Sequence, residues 1–396
     1  MVQLIVVAAS PELSGYSVSS YTRNVLLWRS RMHRSRTVAL TLVPLALGIS
    51  IVFAQQTAWR DSAKHEIRFV TVEQGVRLEV LDWSGSGRNV VLLTGSGHTA
   101  HVYDEFAPKL TDCCHVYGIT RRGFGASSRP SSGYDDQRLA DDVVRAIEEA
   151  KIEKPVLVGH SMSGGEMTTV GRQHSDRISG LVYLDAIADL EDDPPADKEW
   201  AALQQKMPAG LRPQPACDPA DRSSFDTFRT TLACAFGFAF PVSELHQQFE
   251  DINGRVGPVT APDWVMRDIG QQQVFRKDYS NIRVPLLVMM EFPRFPEAYK
   301  PKNDDERALI DQFIARGKVI TGRSTDKVKR GVPDARFVDV PGGGHYLWIT
   351  KEAEVLREIH AFFIQPPDEP QITSYSERPR ASDRVCPRPR LHWLTR

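Results

Sequence analysis

Several features that assign a chain to a special class are scarce or missing here. The 396 residues carry a formal net charge of −1, so no overall charge attracts the chain to nucleic acid. The five cysteines, an odd number, do not indicate a disulfide scaffold, although Cys217 and Cys234 could pair in an oxidising compartment. No cysteine–histidine grouping has zinc-ligand spacing, so the sequence predicts no metal site. The composition, 41% hydrophobic and 25% charged, predicts an ordinary globular protein with a sizeable core.

Long apolar runs are also scarce, with one exception near the N-terminus. Residues 37–54 are apolar, contain Pro44 and follow a cluster of arginines. A run of about 18 residues is at the lower limit for spanning a bilayer. Basic residues followed by an apolar run also make a secretory signal, and Met32 rather than Met1 could then be the start. We therefore predict that residues 1–56 are a signal or an N-terminal membrane anchor, and that the protein is exported or membrane-anchored.

From residue 57 onward, short apolar runs alternate with amphipathic helices. The predicted strands are Glu66–Val72, Val76–Trp83, Asn89–Leu93, His115–Ile119, Pro155–Val158, Leu181–Leu184, Val284–Met290 and Ala335–Val340. This alternation predicts an α/β core over 57–187 and 281–364, with a mostly parallel central sheet covered by helices on both faces.

Two segments depart from that alternation. Residues 188–280 lose the rhythm, contain many prolines and include the Phe- and Ala-rich stretch Phe225–Phe249. They predict a helical cap inserted between core strands. Residues 365–396 are rich in Pro and Arg and lack apolar periodicity, which predicts a disordered tail.

A serine lies in the turn between a predicted strand and a predicted helix. The segment reads Gly159-His160-Ser161-Met162-Ser163-Gly164. A nucleophile elbow, G-x-S-x-G, needs this context, since its strained backbone tolerates only small neighbours two positions from the serine. Gly159 fits, whereas Ser163 stands in place of the second glycine. The segment predicts Ser161 as a nucleophile; a glycine-rich turn without chemistry is the alternative.

A serine hydroxyl needs a base from elsewhere in the fold. His345 follows the last predicted strand on the glycine-rich segment Pro341–Gly344 and precedes a C-terminal helix. The chain order nucleophile, acid, histidine is the one that this architecture uses. We predict that His345 is the general base.

Two carboxylates compete for the third position. The acid orients the imidazole and stabilises its charged form. Asp185 follows the strand Leu181–Leu184, and Glu291 follows the strand Val284–Met290. We predict Asp185 as the acid, with Glu291 as the alternative.

The oxyanion of a tetrahedral intermediate needs two N–H donors. The Met162 amide opens the helix after Ser161, and the Ser96 amide lies in the loop Thr94–His98 after the third strand. We predict these two amides as the oxyanion hole.

The stretch from about Val90 to Ala186, together with Gly342–His345, resembles the α/β-hydrolase superfamily of esterases, lipases and related enzymes. Arg121–Ser127 is similar to the family segment D-x-R-G-x-G-x-S, with Thr120 where Asp is usual. Leu181–Ala188 resembles the region where haloalkane dehalogenase relatives carry their acid, which supports Asp185. Those relatives use an aspartate nucleophile, so Ser161 argues against dehalogenation.

The resemblance implies an α/β-hydrolase fold and a catalytic triad that works without a metal or an organic cofactor. The predicted function is hydrolysis of a carboxylic ester of a small or apolar molecule through an acyl-enzyme on Ser161. The same parts could cleave an amide, a lactone or a carbon–carbon bond, and a non-catalytic binding protein of this fold is a further alternative. No protein or nucleic-acid partner is predicted.

Overall fold

The apolar runs of the sequence form the strands of one eight-stranded sheet. A computed structural model describes residues 59–188, 198–206, 221–272, 277–291 and 301–364, so the apolar run 37–54 and the tail 365–396 lie outside the described residues. The strands are β1 Glu66–Glu73, β2 Val76–Gly85, β3 Arg88–Leu93, β4 Cys114–Thr120, β5 Val156–His160, β6 Gly180–Leu184, β7 Phe249–Ile252, β8 Arg255–Val259, β9 Leu286–Met290 and β10 Arg336–Asp339.

The large sheet has the order β1-β2-β4-β3-β5-β6-β9-β10. Strands β1, β2 and β4 pair antiparallel, and all pairs from β4 to β10 are parallel. The carboxyl ends of β3, β5, β6, β9 and β10 therefore lie along one edge. In an open α/β sheet, this edge is where ligands bind.

The central strands are covered on both faces. In β3, Val90, Val91 and Leu92 are 0% exposed and Leu93 is 2% exposed, although alternate residues point to opposite faces. Such uninterrupted apolar runs are typical of parallel strands between two helical layers. On one face, Val91 and Leu93 pack with buried residues of the two helices before and after β5.

The helices are α1 Asp136–Glu149, α2 Ser163–Gln173, α3 Lys198–Lys206, α4 Phe225–Phe236, α5 Val242–Gln248, α6 Asp263–Gln272, α7 Asp304–Gly331, α8 Leu347–Thr350 and α9 Glu352–Ile364. Helix α1 shows how the sequence fixes a boundary: the Asp135 carboxylate accepts a hydrogen bond of 2.9 Å from Arg138 N. Among the described residues, no helix is both long and apolar enough to cross a bilayer.

The segment between β6 and β9 contains α3 to α6 and also a β-hairpin that the composition did not predict. Strands β7 and β8 pair antiparallel around Asn253 and Gly254, whose φ angles are 56° and 84°. Asn-Gly favours this two-residue turn because both positions tolerate positive φ. The boundaries proposed for core and cap stay predictions. Cys234 in α4 is disulfide-bonded, while Cys217 lies outside the described residues.

Candidate active site

Ser161 lies in a tight turn between β5 and α2. Its φ of 54° is in the left-handed region, which is unusual for a residue other than glycine. The Ser161 N–H donates to the carbonyl of Leu184 at the end of β6, 3.2 Å away. A Cβ atom at Gly159 would overlap the side chains of Met167 and Ser163. The glycine two positions before Ser161 is therefore required by packing.

Ser163 occupies the position where the elbow pattern has its second glycine. Its side chain is 0% exposed, and its hydroxyl donates to the carbonyl of His160 at 2.9 Å. The steric demand for glycine falls one residue later, because a Cβ at Gly164 would overlap the carbonyl oxygen of Ala186. The departure from the pattern is thus accommodated by a local hydrogen bond.

Three of the predicted site residues meet at the carboxyl edge of the sheet. Ser161 Oγ lies 3.0 Å from His345 Nε2, and His345 Nδ1 lies 2.5 Å from Asp185 Oδ2. With the ring proton on Nδ1, the imidazole donates to Asp185 and can accept the serine proton on Nε2. The Asp185 side chain is 1% exposed and that of His345 is 30% exposed. The carboxylate is thus shielded while the imidazole stays accessible.

The structure gives Glu291 a different position. Its two carboxylate oxygens accept hydrogen bonds from Gly342 N at 3.0 Å and from Gly344 N at 2.8 Å. Both amides belong to the loop that carries His345, and Glu291 is 7% exposed. Glu291 therefore holds the backbone of the loop, and Asp185 contacts the imidazole.

The two amides predicted as oxyanion donors flank Ser161. Met162 follows it directly, and a Cβ at Gly95 would lie 3.2 Å from Ser161 Cβ, so the loop containing Ser96 adjoins the serine. Arg121 fixes this loop by donating to the carbonyl of Thr94 at 2.9 Å.

The same guanidinium also reaches the helix after the serine. Arg121 pairs with Glu166 of α2 at 2.8 Å, and both side chains are buried. Burial raises the pKa of Glu166 to about 6, although Arg121 opposes the shift. The ion pair joins the loop that contains Ser96 to the helix after Ser161, which gives Arg121 of the family-like segment a structural role.

The comparison with protein families follows from this arrangement. A model described as the alpha/beta hydrolase family matches residues 90–358, which include Ser161, Asp185 and His345. The chain belongs to the alpha/beta hydrolase family.

Relatives of this alpha/beta hydrolase include several kinds of enzyme. The chain is 26% identical to 2-(acetamidomethylene)succinate hydrolase of Mesorhizobium japonicum over 66% of its own length and 83% of that protein. It is 33% identical to epoxide hydrolase A of Mycobacterium tuberculosis over 28% of its own length and 35% of that protein. It is 34% identical to a non-heme chloroperoxidase of Kitasatospora aureofaciens over 30% of its own length and 43% of that protein. The last two matches thus span less than half of those relatives.

A solved structure of E-2-(acetamidomethylene)succinate hydrolase aligns with a TM-score of 0.54 and 20% identity. It covers 76% of this chain and 99% of that chain. At this identity the likeness supports the fold: a mostly parallel α/β-hydrolase sheet with helices.

One buried group beside the site of this alpha/beta hydrolase escaped sequence reasoning. His98 Nδ1 lies 2.8 Å from the carboxylate of Glu244 in α5, and its Nε2 lies 2.9 Å from the hydroxyl of Tyr346, the residue after His345. Burial, with the nearby Glu244, raises the pKa of Tyr346 above its ordinary value. The sequence signal was slight: an acid in an apolar segment, 146 residues away from its partner.

Apolar side chains from the segment between β6 and β9 surround the same region. Phe238 and Phe240 pack on Tyr346 with ring centroids 5.2 and 5.3 Å apart. On the other side, Met266 of α6 lies 3.8 Å from the Ser96 hydroxyl. The segment thus places aromatic groups beside the loop that carries His345 and a thioether beside the loop that contains Ser96.

Proposed function

We propose that this alpha/beta hydrolase cleaves a carboxylic ester through an acyl-enzyme on Ser161. The single observation that carries the proposal is the continuous chain of contacts from Ser161 Oγ to His345 Nε2 and from His345 Nδ1 to Asp185. A nucleophile, a base and an acid in this arrangement are the parts of a serine hydrolase.

In this mechanism, His345 removes the Ser161 proton while the oxygen attacks the ester carbonyl. The amides of Ser96 and Met162 donate to the oxyanion of the tetrahedral intermediate. His345 then gives the proton to the leaving alcohol, and the acyl group stays on Ser161. Water then attacks the acyl carbonyl and loses a proton to His345. The bond to Ser161 Oγ breaks, His345 returns the proton to that oxygen, and the acid leaves. Asp185 holds the Nδ1–H tautomer and stabilises the imidazolium at both stages.

The surroundings support an ester with an apolar acyl or alcohol group. Phe236 is 36% exposed, and its ring centroid lies 6.0 Å from that of Phe238. Phe238 in turn packs on Tyr346. Phenylalanine rings have no hydrogen-bonding groups, so they bury the apolar surface of a ligand without needing a polar group on it. The residue beside His345 is thus bordered by rings that suit a hydrocarbon chain or an aryl group.

The first test is covalent labelling. A fluorophosphonate probe should label the wild-type chain once, on Ser161, and Ser161→Ala should abolish labelling. Ser163→Ala is the matched control, because it removes the other serine of the turn and leaves the attacking oxygen in place. A wild-type chain that is not labelled would favour a non-catalytic binding protein of this fold.

The second test defines the bond. Initial rates on p-nitrophenyl esters of increasing chain length should rise from acetate to a medium-length acyl group and disappear in Ser161→Ala. Anilides, lactones and a carbon–carbon bond substrate of matching size are measured in parallel. A higher kcat/KM on any of these than on the best ester would overturn the ester assignment while keeping Ser161 as the nucleophile.

A further inference from the structure

A cluster of histidine and aspartate side chains lies outside the active site. It is formed by two residues that precede β1 and two in the short 3-10 turn after β3; the members are Asp61, His65, His101 and Asp104. One candidate ligand atom from each of the four lies within 4.8 Å of the others. We name this group the His–Asp cluster.

The contacts around His101 have a spacing that suits a shared cation. His101 Nδ1 lies 3.2 Å from Asp61 Oδ2 and also 3.2 Å from Asp104 Oδ2. The contact with Asp104 is a hydrogen bond. Within the described part of the chain, Asp61 Oδ2 is buried and lacks a well-aligned hydrogen bond, although His101 Nδ1 lies close to it. Both oxygens lie at the same distance from the nitrogen, a spacing that a shared ion would also give.

The spacing matches a four-coordinate ion. Bonds of zinc length to nitrogen and oxygen place tetrahedral ligand atoms about 3.3 Å apart. The two distances from His101 fit this value, and His65 Nε2 lies 3.6 Å from Asp61 Oδ2. His65 Nδ1 lies 2.8 Å from Asp104 Oδ1, so its proton points at that carboxylate and leaves Nε2 with the lone pair that a metal requires.

The surrounding groups orient the cluster as partners of metal ligands do. His101 Nε2 lies 3.5 Å from the carboxylate of Glu79, which is 1% exposed and accepts a hydrogen bond of 2.7 Å from Thr120. Trp83 Nε1 donates to Asp104 Oδ1 at 3.1 Å. Carboxylates and donors in these places fix the tautomer and the direction of metal-bound side chains.

The charge balance permits a divalent cation. Three carboxylates, those of Asp61, Glu79 and Asp104, face two imidazoles, and in the described ranges all their ion pairs are with histidine. The group therefore keeps a negative charge even when both imidazoles are protonated. A divalent ion with both imidazoles neutral leaves the same total charge, so it could take the place of the two ring protons without adding buried charge.

We propose that the His–Asp cluster binds one divalent transition-metal ion, and that this ion is Zn²⁺. Imidazole and carboxylate ligands together favour zinc over calcium or magnesium, which take oxygen ligands. The ion is structural: it joins the segment before β1 to the turn after β3, and Ser243 of α5 donates to Asp104 from the insertion. The sequence signal of this cluster contains no cysteine: it is Asp-x3-His followed by His-x2-Asp.

The test uses the full chain after dialysis against a chelator. Zn²⁺ titrated alone should bind at one ion per chain and raise Tm by about 5 °C when it is in hundredfold excess over Kd. Ca²⁺ at the same concentration should leave Tm unchanged. Asp61→Asn should weaken zinc binding by at least about 100-fold. His115→Gln is the control, since His115 is bonded to Asp82 on the neighbouring strands and lies outside the cluster.

Cobalt gives a second readout that needs no variant. Co²⁺ in the wild-type chain should produce the intense visible bands of a tetrahedral site, and Zn²⁺ should remove them. The proposal is overturned if the dialysed wild-type chain binds no Zn²⁺, if Asp61→Asn binds it as tightly as wild type, or if bound Co²⁺ shows only weak octahedral bands. This holds even if Asp61→Asn fails to fold, because the wild-type titrations decide alone.

Discussion

Asp185→Asn is the substitution that tests the proposed acid most directly. In the wild-type chain, His345 Nδ1 lies 2.5 Å from a carboxylate oxygen of Asp185. The asparagine side chain has the same size but turns either an amide oxygen or an NH₂ group toward this nitrogen. The NH₂ orientation stabilises the tautomer with the proton on Nε2, which cannot accept from Ser161. Even with the amide oxygen turned inward, no negative charge supports the imidazolium. Changes of this kind lower kcat by about 10⁴-fold in serine proteases, and we expect a loss of about 10³- to 10⁴-fold here.

Glu291→Gln provides the comparison, because it alters the other carboxylate by the same chemical change. Gln keeps one oxygen to accept from Gly342 or Gly344 and turns its NH₂ toward the other amide. The loss of one hydrogen bond to a charged acceptor costs about 1.5–3 kcal/mol. If this whole free-energy cost were expressed as misplacement of His345 in the transition state, the rate would fall by about 10- to 100-fold. We therefore expect a smaller loss of kcat and a clear loss of thermal stability.

The assay measures kcat and KM for both variants on the best ester, together with Tm. Ser161→Ala sets the background rate. Full activity in Asp185→Asn combined with loss of at least about 10³-fold in Glu291→Gln, at unchanged Tm, would refute the assignment and make Glu291 the acid.

Three further predictions concern the frame of the site. Gly159→Ala should destabilise the fold by about 1–3 kcal/mol in denaturant unfolding, because the new Cβ overlaps Met167, whereas Gly322→Ala in α7 has open space and should not destabilise. Burial raises the pKa of Asp136 from 3.8 to about 6, so between these pH values the folded state binds a proton that the unfolded state has lost. The free energy of unfolding therefore falls as pH rises from about 4 through 6. Asp136→Asn should raise the free energy of unfolding by about 1–3 kcal/mol at pH 8 and leave it unchanged at pH 4. Glu244→Gln should lower stability by about 1–3 kcal/mol and speed hydrogen exchange in α5, because it weakens the buried bond to His98; unchanged exchange would contradict this anchoring role.

Local sequence patterns predicted the strands well because each strand is specified by its own residues. Glu66–Val72 and Leu181–Leu184 were expected from apolar runs and appear as β1 and β6 within one or two residues. The hairpin β7–β8 was missed because its short strands are mostly exposed and carry little apolar signal. The length of α7, 28 residues, was also missed, since few of its side chains are buried and its apolar face is weak.

The site was predicted in part for the same reason. Ser161 and His345 belong to local motifs, a strand–turn–helix and a glycine-rich loop after the last strand. The anchoring of the loops was not predicted, because it depends on contacts between distant positions. Glu244 meets His98 across 146 residues, and Glu291 meets Gly342 across 51. No local pattern encodes which buried carboxylate reaches which loop.

The order of strands explains why both candidate acids are buried at one edge and yet differ in their contacts. The sheet runs β5-β6-β9-β10, so Ser161 follows β5, Asp185 follows β6, Glu291 follows β9, and the loop bearing His345 follows β10. To reach Ser161, that loop must return across the ends of β9 and β6. Neighbouring strands are about 4.8 Å apart, so the loop passes Glu291 first, where its backbone is held, and Asp185 next, where its imidazole is held. The sequence presents the two carboxylates as alternatives for one position, whereas the topology provides a place for each along the path of the loop.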